Sequence, residues 1–155
     1  MTISLNISRI NGHDYVDLGL SSGLKWATCN VGAEKPEDYG DYFAWGETRI
    51  KREYTKSNSN TYGEKMKDIS GNGEYDVARK QWGGTWRMPT EEEFEELKYN
   101  CLWEWMNQHG IRGYKVTGIN GNSIFLPAAG YRIGSSLICA GDYGYYWSSS
   151  PNSDD

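Results

Sequence analysis

The chain has 155 residues, enough for one domain with its own core, and it carries a net charge of −5 from 21 acidic and 16 basic side chains. It contains no basic patch for a phosphate backbone, no apolar run of the roughly 18 residues that cross a membrane, and no secretory signal at its start. We therefore expect neither a nucleic-acid partner nor membrane insertion.

Trp and Tyr make up a large share of the residues that could form a core. Leu, Ile, Val and Phe together number 25, whereas Trp and Tyr contribute 19 rings. Because each ring can bury roughly 150–250 Å², the composition predicts a core that is aromatic rather than aliphatic. Six indoles are expected to be mostly buried: Trp26, Trp45, Trp82, Trp86, Trp103 and Trp147.

The chain is expected to begin with a β-hairpin. Residues 1–11 are typical of an extended lead-in to a single domain over residues 12–155. The stretch His13–Leu18 alternates polar and apolar side chains, as a half-buried strand does. A glycine turn at Ser21–Gly23 follows, and Leu24–Cys29 is predicted to return as the partner strand.

The next segment has little periodicity. Tyr39–Gly46 is short and aromatic, and it is compatible with either a strand or an ordered loop. Residues 51–65 are polar and predict a surface loop. Since a long structureless loop is unusual in a compact domain, we expect Tyr54 and Tyr62 to hold it in place.

Two helices are predicted in the middle of the chain. Asp76–Trp82 is expected to form a short helix that ends at Gly83 and Gly84. Thr90 is a predicted N-cap for the second helix, and Glu93 stands where it would complete a capping box.

Hairpins are predicted again in the C-terminal half. Cys101–Met106 alternates, and the strands Gly113–Ile119 and Ser123–Pro127 flank Asn120-Gly121, which is a strong two-residue turn signal. Few helices among many hairpins favour the α+β class: twisted antiparallel β-hairpins with two short helices packed against them.

One stretch begins like a calcium-binding loop. Asp68–Gly73 places oxygen side chains at the first, third and fifth positions and glycine at the sixth. The twelfth position is Arg79, where calcium requires a bidentate glutamate. The sequence therefore favours a glycine turn with local backbone bonds over a metal site.

No other motif points to catalysis or to a cofactor. The three cysteines, Cys29, Cys101 and Cys139, form no Cys-x-x-Cys pair, and neither histidine has zinc-ligand spacing to them. We expect three small buried thiols, no metal, no cofactor and no enzymatic activity.

The C-terminal stretch Gly141–Asp155 is built almost entirely from Tyr, Trp, Ser, Gly, Asn and Asp. These residues are typical of binding loops, which combine rigid rings with short adaptable polar side chains. A core strand that runs into a tail is the alternative. The candidate ligand-binding residues are Tyr143, Tyr145, Tyr146, Ser149, Asn152 and Asp154.

Alternation along this stretch separates its rings. It places Tyr145 and Trp147 on one face and Tyr146 on the other. We expect Trp147 in the core and Tyr146 at the surface, with residues 150–155 mobile or ordered only by a neighbouring chain.

Several blocks resemble a known family. They are Tyr15–Ala27, Asn30–Ala33, Tyr39–Thr48, Tyr75–Arg79, Trp82–Thr90, Phe125–Arg132 and Tyr146–Ser150. In this order they are similar to the Fibrobacter succinogenes major paralogous domain family, over about residues 12–151. The resemblance implies a C-type-lectin-like fold, akin to that of the formylglycine-generating enzyme, although Cys101 and Cys139 match no motif of that enzyme's site.

The same resemblance implies a binding function. Family members are linked to surface-exposed modules of gut Bacteroidetes and their phages. Some look like the variable proteins of diversity-generating retroelements, whose ligand-binding segment follows a motif like Tyr146–Ser149. We therefore expect an adhesin-like module, on a cell surface or a phage virion, that binds a glycan or a protein. A structural module of a fibre or virion without a ligand site is the alternative.

The family pattern usually continues into a further closing strand, whereas this sequence stops at Asp155. An open sheet edge tends to recruit another strand. We therefore expect either that the domain is truncated at its C-terminus relative to the family, or that a neighbouring chain covers the sheet edge that the closing strand would pair with.

Overall fold

A computed structural model of the chain describes residues 8–152. The strands are β1 (Ser8–Ile10), β2 (His13–Asp17), β3 (Lys25–Ala27), β4 (Leu102–Gln108), β5 (Ile111–Thr117), β6 (Ser123–Pro127), β7 (Tyr131–Ile133) and β8 (Ser136–Ile138). The helices are α1 (Val77–Trp82) and α2 (Glu91–Asn100), and a single 3-10 turn covers Lys56–Asn58. Antiparallel sheets with few helices place this part of the chain in the α+β class.

The N-terminal sheet has the strand order β1-β2-β3. It confirms the predicted hairpin, with Tyr15 opposite Ala27, although β3 is shorter than Leu24–Cys29. The end of the predicted lead-in forms β1, which turns into β2 through Asn11 and Gly12 at positive φ. As the outer strand of this sheet, β3 has one unpaired edge.

The second sheet has the strand order β4-β5-β6 and contains the predicted Asn120-Gly121 turn. The β4–β5 turn is formed by His109 and Gly110, both at positive φ, which matches the twist of a two-residue hairpin. Gly118 follows β5 and packs directly on the backbone of Leu18. Because a Cβ at this glycine would overlap the Leu18 carbonyl oxygen, the close approach of the two sheets requires glycine here.

Thr90 is the N-cap of α2 as predicted, whereas Asp76, predicted as the first residue of the shorter helix, is the N-cap of α1. The Asp76 carboxylate accepts the Arg79 N–H at the start of α1. The Thr90 hydroxyl accepts the Glu93 N–H at the start of α2, at 3.3 Å. Only this half of the expected capping box forms, because the Glu93 carboxylate binds the Arg87 guanidinium instead, at 2.8 and 3.0 Å.

The core is mostly aliphatic, and the prediction of an aromatic core was wrong. Five residues form its main cluster: Leu18, Leu20, Leu97, Val116 and Ile124. The indoles of Trp26, Trp45, Trp82, Trp86 and Trp103 are only partly buried at its margins. Trp147 is 57% exposed, against expectation.

Hydrogen bonding explains the position of four of these rings, since a buried indole N–H needs an acceptor. Trp103 donates to the Leu97 carbonyl oxygen at 3.0 Å. Other indoles reach backbone carbonyls in loops or at a strand end, at distances of 2.8 Å: Trp45 to Ser148, Trp86 to Ile10, and Trp147 to Phe43. These acceptors lie near the surface, so the rings that use them lie there too.

The loop between Tyr39 and Val77 has no regular element apart from its 3-10 turn. Tyr54 holds it as expected, because its hydroxyl donates to the Tyr42 carbonyl and its backbone pairs with Gly134. Tyr62 does not anchor the loop in this way, since it remains 51% exposed.

Candidate ligand-binding surface

An open cavity of about 800 Å³ lies beside the N-terminal sheet. We call it the aromatic groove. Its walls include twelve aromatic side chains: Trp26, Tyr39, Tyr42, Phe43, Tyr54, Trp82, Trp86, Phe94, Tyr131, Tyr145, Tyr146 and Trp147. This volume falls within the roughly 300–1,000 Å³ of typical ligand pockets.

Ring contacts fix the wall formed by α1 and the segment that follows it. Trp82 and Trp86 pack edge to face with their centroids 4.9 Å apart, and His13 stacks on Trp82 at 4.1 Å. Such offset and edge-on pairs are favourable beyond their buried area. The wall is therefore tied to β2 through His13 and to β1 through the bond from Trp86 to Ile10.

The groove contains few polar groups that lack partners. The Arg87 guanidinium on its wall is paired with Glu93 at 2.8 Å. Arg132 lies over the Tyr42 ring at 4.9 Å and forms no ion pair with a carboxylate in the described residues. The Trp26 indole nitrogen is buried without a hydrogen-bond partner among residues 8–152.

Three rings near the C-terminus are exposed. Tyr143, Tyr145 and Trp147 are 60%, 56% and 57% exposed, and we call them the C-terminal aromatic face. Tyr145 packs edge to face on Tyr131 at 4.9 Å, and the Tyr143 carbonyl accepts the Gly130 N–H at 2.8 Å. The rings are therefore presented by a backbone that is fixed to the fold, as a binding surface requires.

The side chain of Tyr146 points into the fold, away from the C-terminal aromatic face. Its hydroxyl donates to the Pro127 carbonyl at 2.9 Å and accepts from the Asn30 side chain at 3.3 Å. Burial raises the pKa of this phenol far above its ordinary value. Alternation separated Tyr146 from Tyr145 and Trp147 correctly, but the assignment of faces was inverted because the phenol finds a buried acceptor.

Ser149 is fully buried, so its candidate role as a ligand-binding residue is not supported. Its N–H donates to the Pro89 carbonyl at 2.8 Å, and its carbonyl accepts the Ile69 N–H at 3.1 Å. Its hydroxyl donates to the Asp68 carboxylate at 3.1 Å. Through these bonds Ser149 links the C-terminal segment to the turn at residues 68–73 and to Pro89, which precedes α2.

The end of the described chain is partly fixed. Ser150 accepts the Glu91 N–H and donates to Asp68, so the expectation that it is mobile or held only by another chain was wrong. Asn152 is exposed, as a ligand-binding residue would be. Asp154 lies outside the described residues.

The loop that resembles the start of a calcium site instead accepts protein donors. The Asp68 carboxylate accepts the Ser70 N–H as well as serine hydroxyls, and Asn72 accepts the Glu74 N–H. The predicted glycine turn with local backbone bonds is confirmed. In residues 8–152 no cluster of three or more metal-ligating side chains was found.

Sequence reasoning did not identify Asp76 as a structural centre. Its carboxylate is fully buried and accepts the N–H groups of Gly71, Met88 and Arg79 at 2.7, 2.8 and 3.0 Å. The last of these bonds is the N-cap of α1. The other two join the 68–73 turn to the segment before α2 and so support the groove wall.

The cysteines are partly buried free thiols. Burial raises the pKa of Cys29 and of Cys101 above the ordinary thiol value. A raised pKa keeps a thiol protonated and unreactive at neutral pH.

Comparisons of the chain with protein-family models, with curated proteins and with solved structures found no match. No helix within residues 8–152 is long and apolar enough to cross a membrane.

Proposed function

We propose that this chain is a non-enzymatic binding module with a C-type-lectin-like fold, of the type expected from its family resemblance. It binds a protein on a cell surface, and the chain itself is displayed on a cell surface or a phage virion. The observation that carries the proposal is the C-terminal aromatic face, where Tyr143, Tyr145 and Trp147 are each more than half exposed. Exposed aromatic clusters mark interaction sites, since Tyr and Trp supply much of the energy of protein interfaces.

The chemistry of the surface favours a protein over a glycan. A sugar presents many hydroxyl groups, which need matched hydrogen-bond partners once they leave water. The aromatic groove shares Tyr145 and Trp147 with this face and is lined mainly by rings and aliphatic side chains. Arg132 is its one cation without a carboxylate partner among the described residues. Apolar side chains of a partner protein match such a surface better.

The structural alternative also has a supporting observation. Tyr146 and Ser149 belong to the C-terminal stretch but serve the fold, through Pro127, Pro89 and Asp68. A fibre or virion module would need only these internal contacts. The exposure of Tyr143 and Tyr145 would then serve no purpose.

The test is binding of the fluorescently labelled chain to intact gut Bacteroidetes cells, measured by flow cytometry. The double variant Tyr143→Ser with Tyr145→Ser is compared with Tyr99→Ser, which removes a ring that is 73% exposed on α2. We expect the double variant to bind at least about tenfold more weakly, because two interface aromatics are lost. The control should bind like the unmodified chain.

Treatment of the cells identifies the ligand. Protease digestion should abolish binding, whereas mild periodate oxidation of glycans should not. The reverse pattern would make the ligand a glycan. Equal binding by the double variant and by the unmodified chain, or no binding by either, would favour the structural module.

A further inference from the structure

The outer edge of β3 offers unpaired backbone groups. The Thr28 N–H donates to the Asp14 carbonyl, on the β2 side. Because N–H groups alternate in direction along a strand, those of Lys25 and Ala27 point away from β2. No hydrogen bond of either group is found in the described part of the chain.

This edge lies on the aromatic groove, since Lys25, Trp26 and Ala27 all line the cavity. The strand edge and the apolar walls thus form one surface. An extended chain placed there would pair with β3 and insert alternate side chains between the rings. This is the geometry of β-strand addition, in which backbone bonds supply affinity and side-chain pockets supply selectivity.

We propose that the aromatic groove accepts the N-terminal segment Met1–Ile7 of a second copy of this chain as an added strand beside β3. Residues 1–7 lie outside the described part, but their sequence suits the site. Apolar side chains occupy every second position, at Met1, Ile3, Leu5 and Ile7, with polar Thr2, Ser4 and Asn6 between them. None of these side chains is charged, which agrees with a groove that has few polar groups.

The donor is a second copy because of where the described chain begins. Ser8 pairs with Tyr15, which pairs with Ala27 of β3. Neighbouring strands are about 4.8 Å apart, so Ser8 stands roughly 10 Å from β3, with β2 between them. Seven residues span at most about 23 Å when extended. Crossing over β2 would use much of that length, leaving little to pair with β3.

Reciprocal exchange of the segment between two copies closes the assembly as a symmetric dimer. The inference goes beyond the proposed function, although Tyr145 and Trp147 line the groove as well as the C-terminal aromatic face. Its test changes Leu5 and observes β3, whereas the test of the proposed function changes Tyr143 and Tyr145. Failure of one test can therefore be distinguished from failure of the other.

The test is sedimentation velocity of the full chain from about 1 to 200 µM, where a reversible dimer shows a concentration-dependent mass. Leu5→Asp places a charge on the apolar side of the segment, and Ser4→Asp places the same charge on its polar side. We expect Leu5→Asp to weaken dimerisation at least about tenfold, with Ser4→Asp within about twofold of the unmodified chain. Both variants should show the unmodified melting temperature when they are monomeric.

Amide hydrogen exchange supplies a second readout. The Lys25 and Ala27 amides should be protected in the concentrated unmodified chain and should exchange rapidly in Leu5→Asp. A chain that stays monomeric at 200 µM would overturn the proposal. So would a dimer in which these two amides exchange freely, or one that Leu5→Asp and Ser4→Asp weaken equally.

Discussion

Replacing Asp76 by alanine should destabilise the fold more than any surface change of equal size. The carboxylate is fully buried, and it accepts three backbone N–H groups at 2.7–3.0 Å. Alanine removes all three acceptor contacts and leaves the Met88 N–H, which is buried, without a partner. Water can reach the partly buried donors of Gly71 and Arg79 more readily.

The magnitude follows from these three bonds. An orphaned buried donor costs about 1–3 kcal/mol, and loss of a helix N-cap costs about 0.5–2 kcal/mol. The lost bond at Gly71 adds about 1 kcal/mol. We therefore expect Asp76→Ala to lower the free energy of unfolding by about 3–5 kcal/mol, a large part of the roughly 5–15 kcal/mol typical of a domain.

Urea denaturation followed by tryptophan fluorescence measures this change. The matched control is Asp142→Ala, which removes a carboxylate that is 61% exposed and 3.3 Å from Arg112. An exposed ion pair contributes at most about 1 kcal/mol, so the control should unfold near the unmodified midpoint. If Asp76→Ala also stayed within about 1 kcal/mol of the unmodified chain, the carboxylate would not be the structural centre argued above.

Three further changes test other contacts. Trp86→Ala should lower the free energy of unfolding by about 3 kcal/mol, the lower end of the range for large core truncations. The ring is only partly buried, but its indole also donates to the Ile10 carbonyl. An unchanged thermal melt would contradict this stabilising role. Burial raises the pKa of Tyr146 in the folded state, so stability should fall as pH rises above about 10, by up to about 1.4 kcal/mol per pH unit. Tyr146→Phe should remove that component of the slope, and an identical slope in both proteins would refute the assignment. Calcium titration by calorimetry should show no micromolar binding, because the Asp68 carboxylate already accepts a hydrogen bond from the Ser149 hydroxyl. Micromolar binding that Asp68→Ala abolishes would show that this loop is a calcium site.

Local features of the fold could be predicted because their causes lie within a few residues. The Asn120-Gly121 turn depends on residues that tolerate positive φ, and Gly121 has a φ of +86°. The Thr90 cap depends on a hydroxyl three residues before an N–H, and this bond is present. The alternation in His13–Leu18 likewise predicted β2, because a strand has one inner and one outer face.

The candidate site was harder to predict because it depends on long-range partners. Nothing near Ser149 in the sequence indicates that the Asp68 carboxylate, 81 residues away, accepts a hydrogen bond from its hydroxyl. Alternation divided the C-terminal rings into two sets, but only the Pro127 carbonyl, 19 residues away, determines that Tyr146 is the inner one. Composition indicated an excess of tryptophan, but it could not show that these rings line an open groove.

The indole bonds that join the loop at Phe43 and Trp45 to the segment at Trp147 and Ser148 affect when this loop can fold during synthesis. Trp45 donates to Ser148, and Trp147 donates to Phe43, across 103 and 104 residues of sequence. At a translation rate of about 5–20 residues per second, Trp45 is synthesised roughly 5–20 s before its acceptor Ser148. Contacts so distant in sequence also form slowly, since the intervening chain must first be ordered. The loop that contains Trp45 therefore completes its folding only after Ser148 has been synthesised.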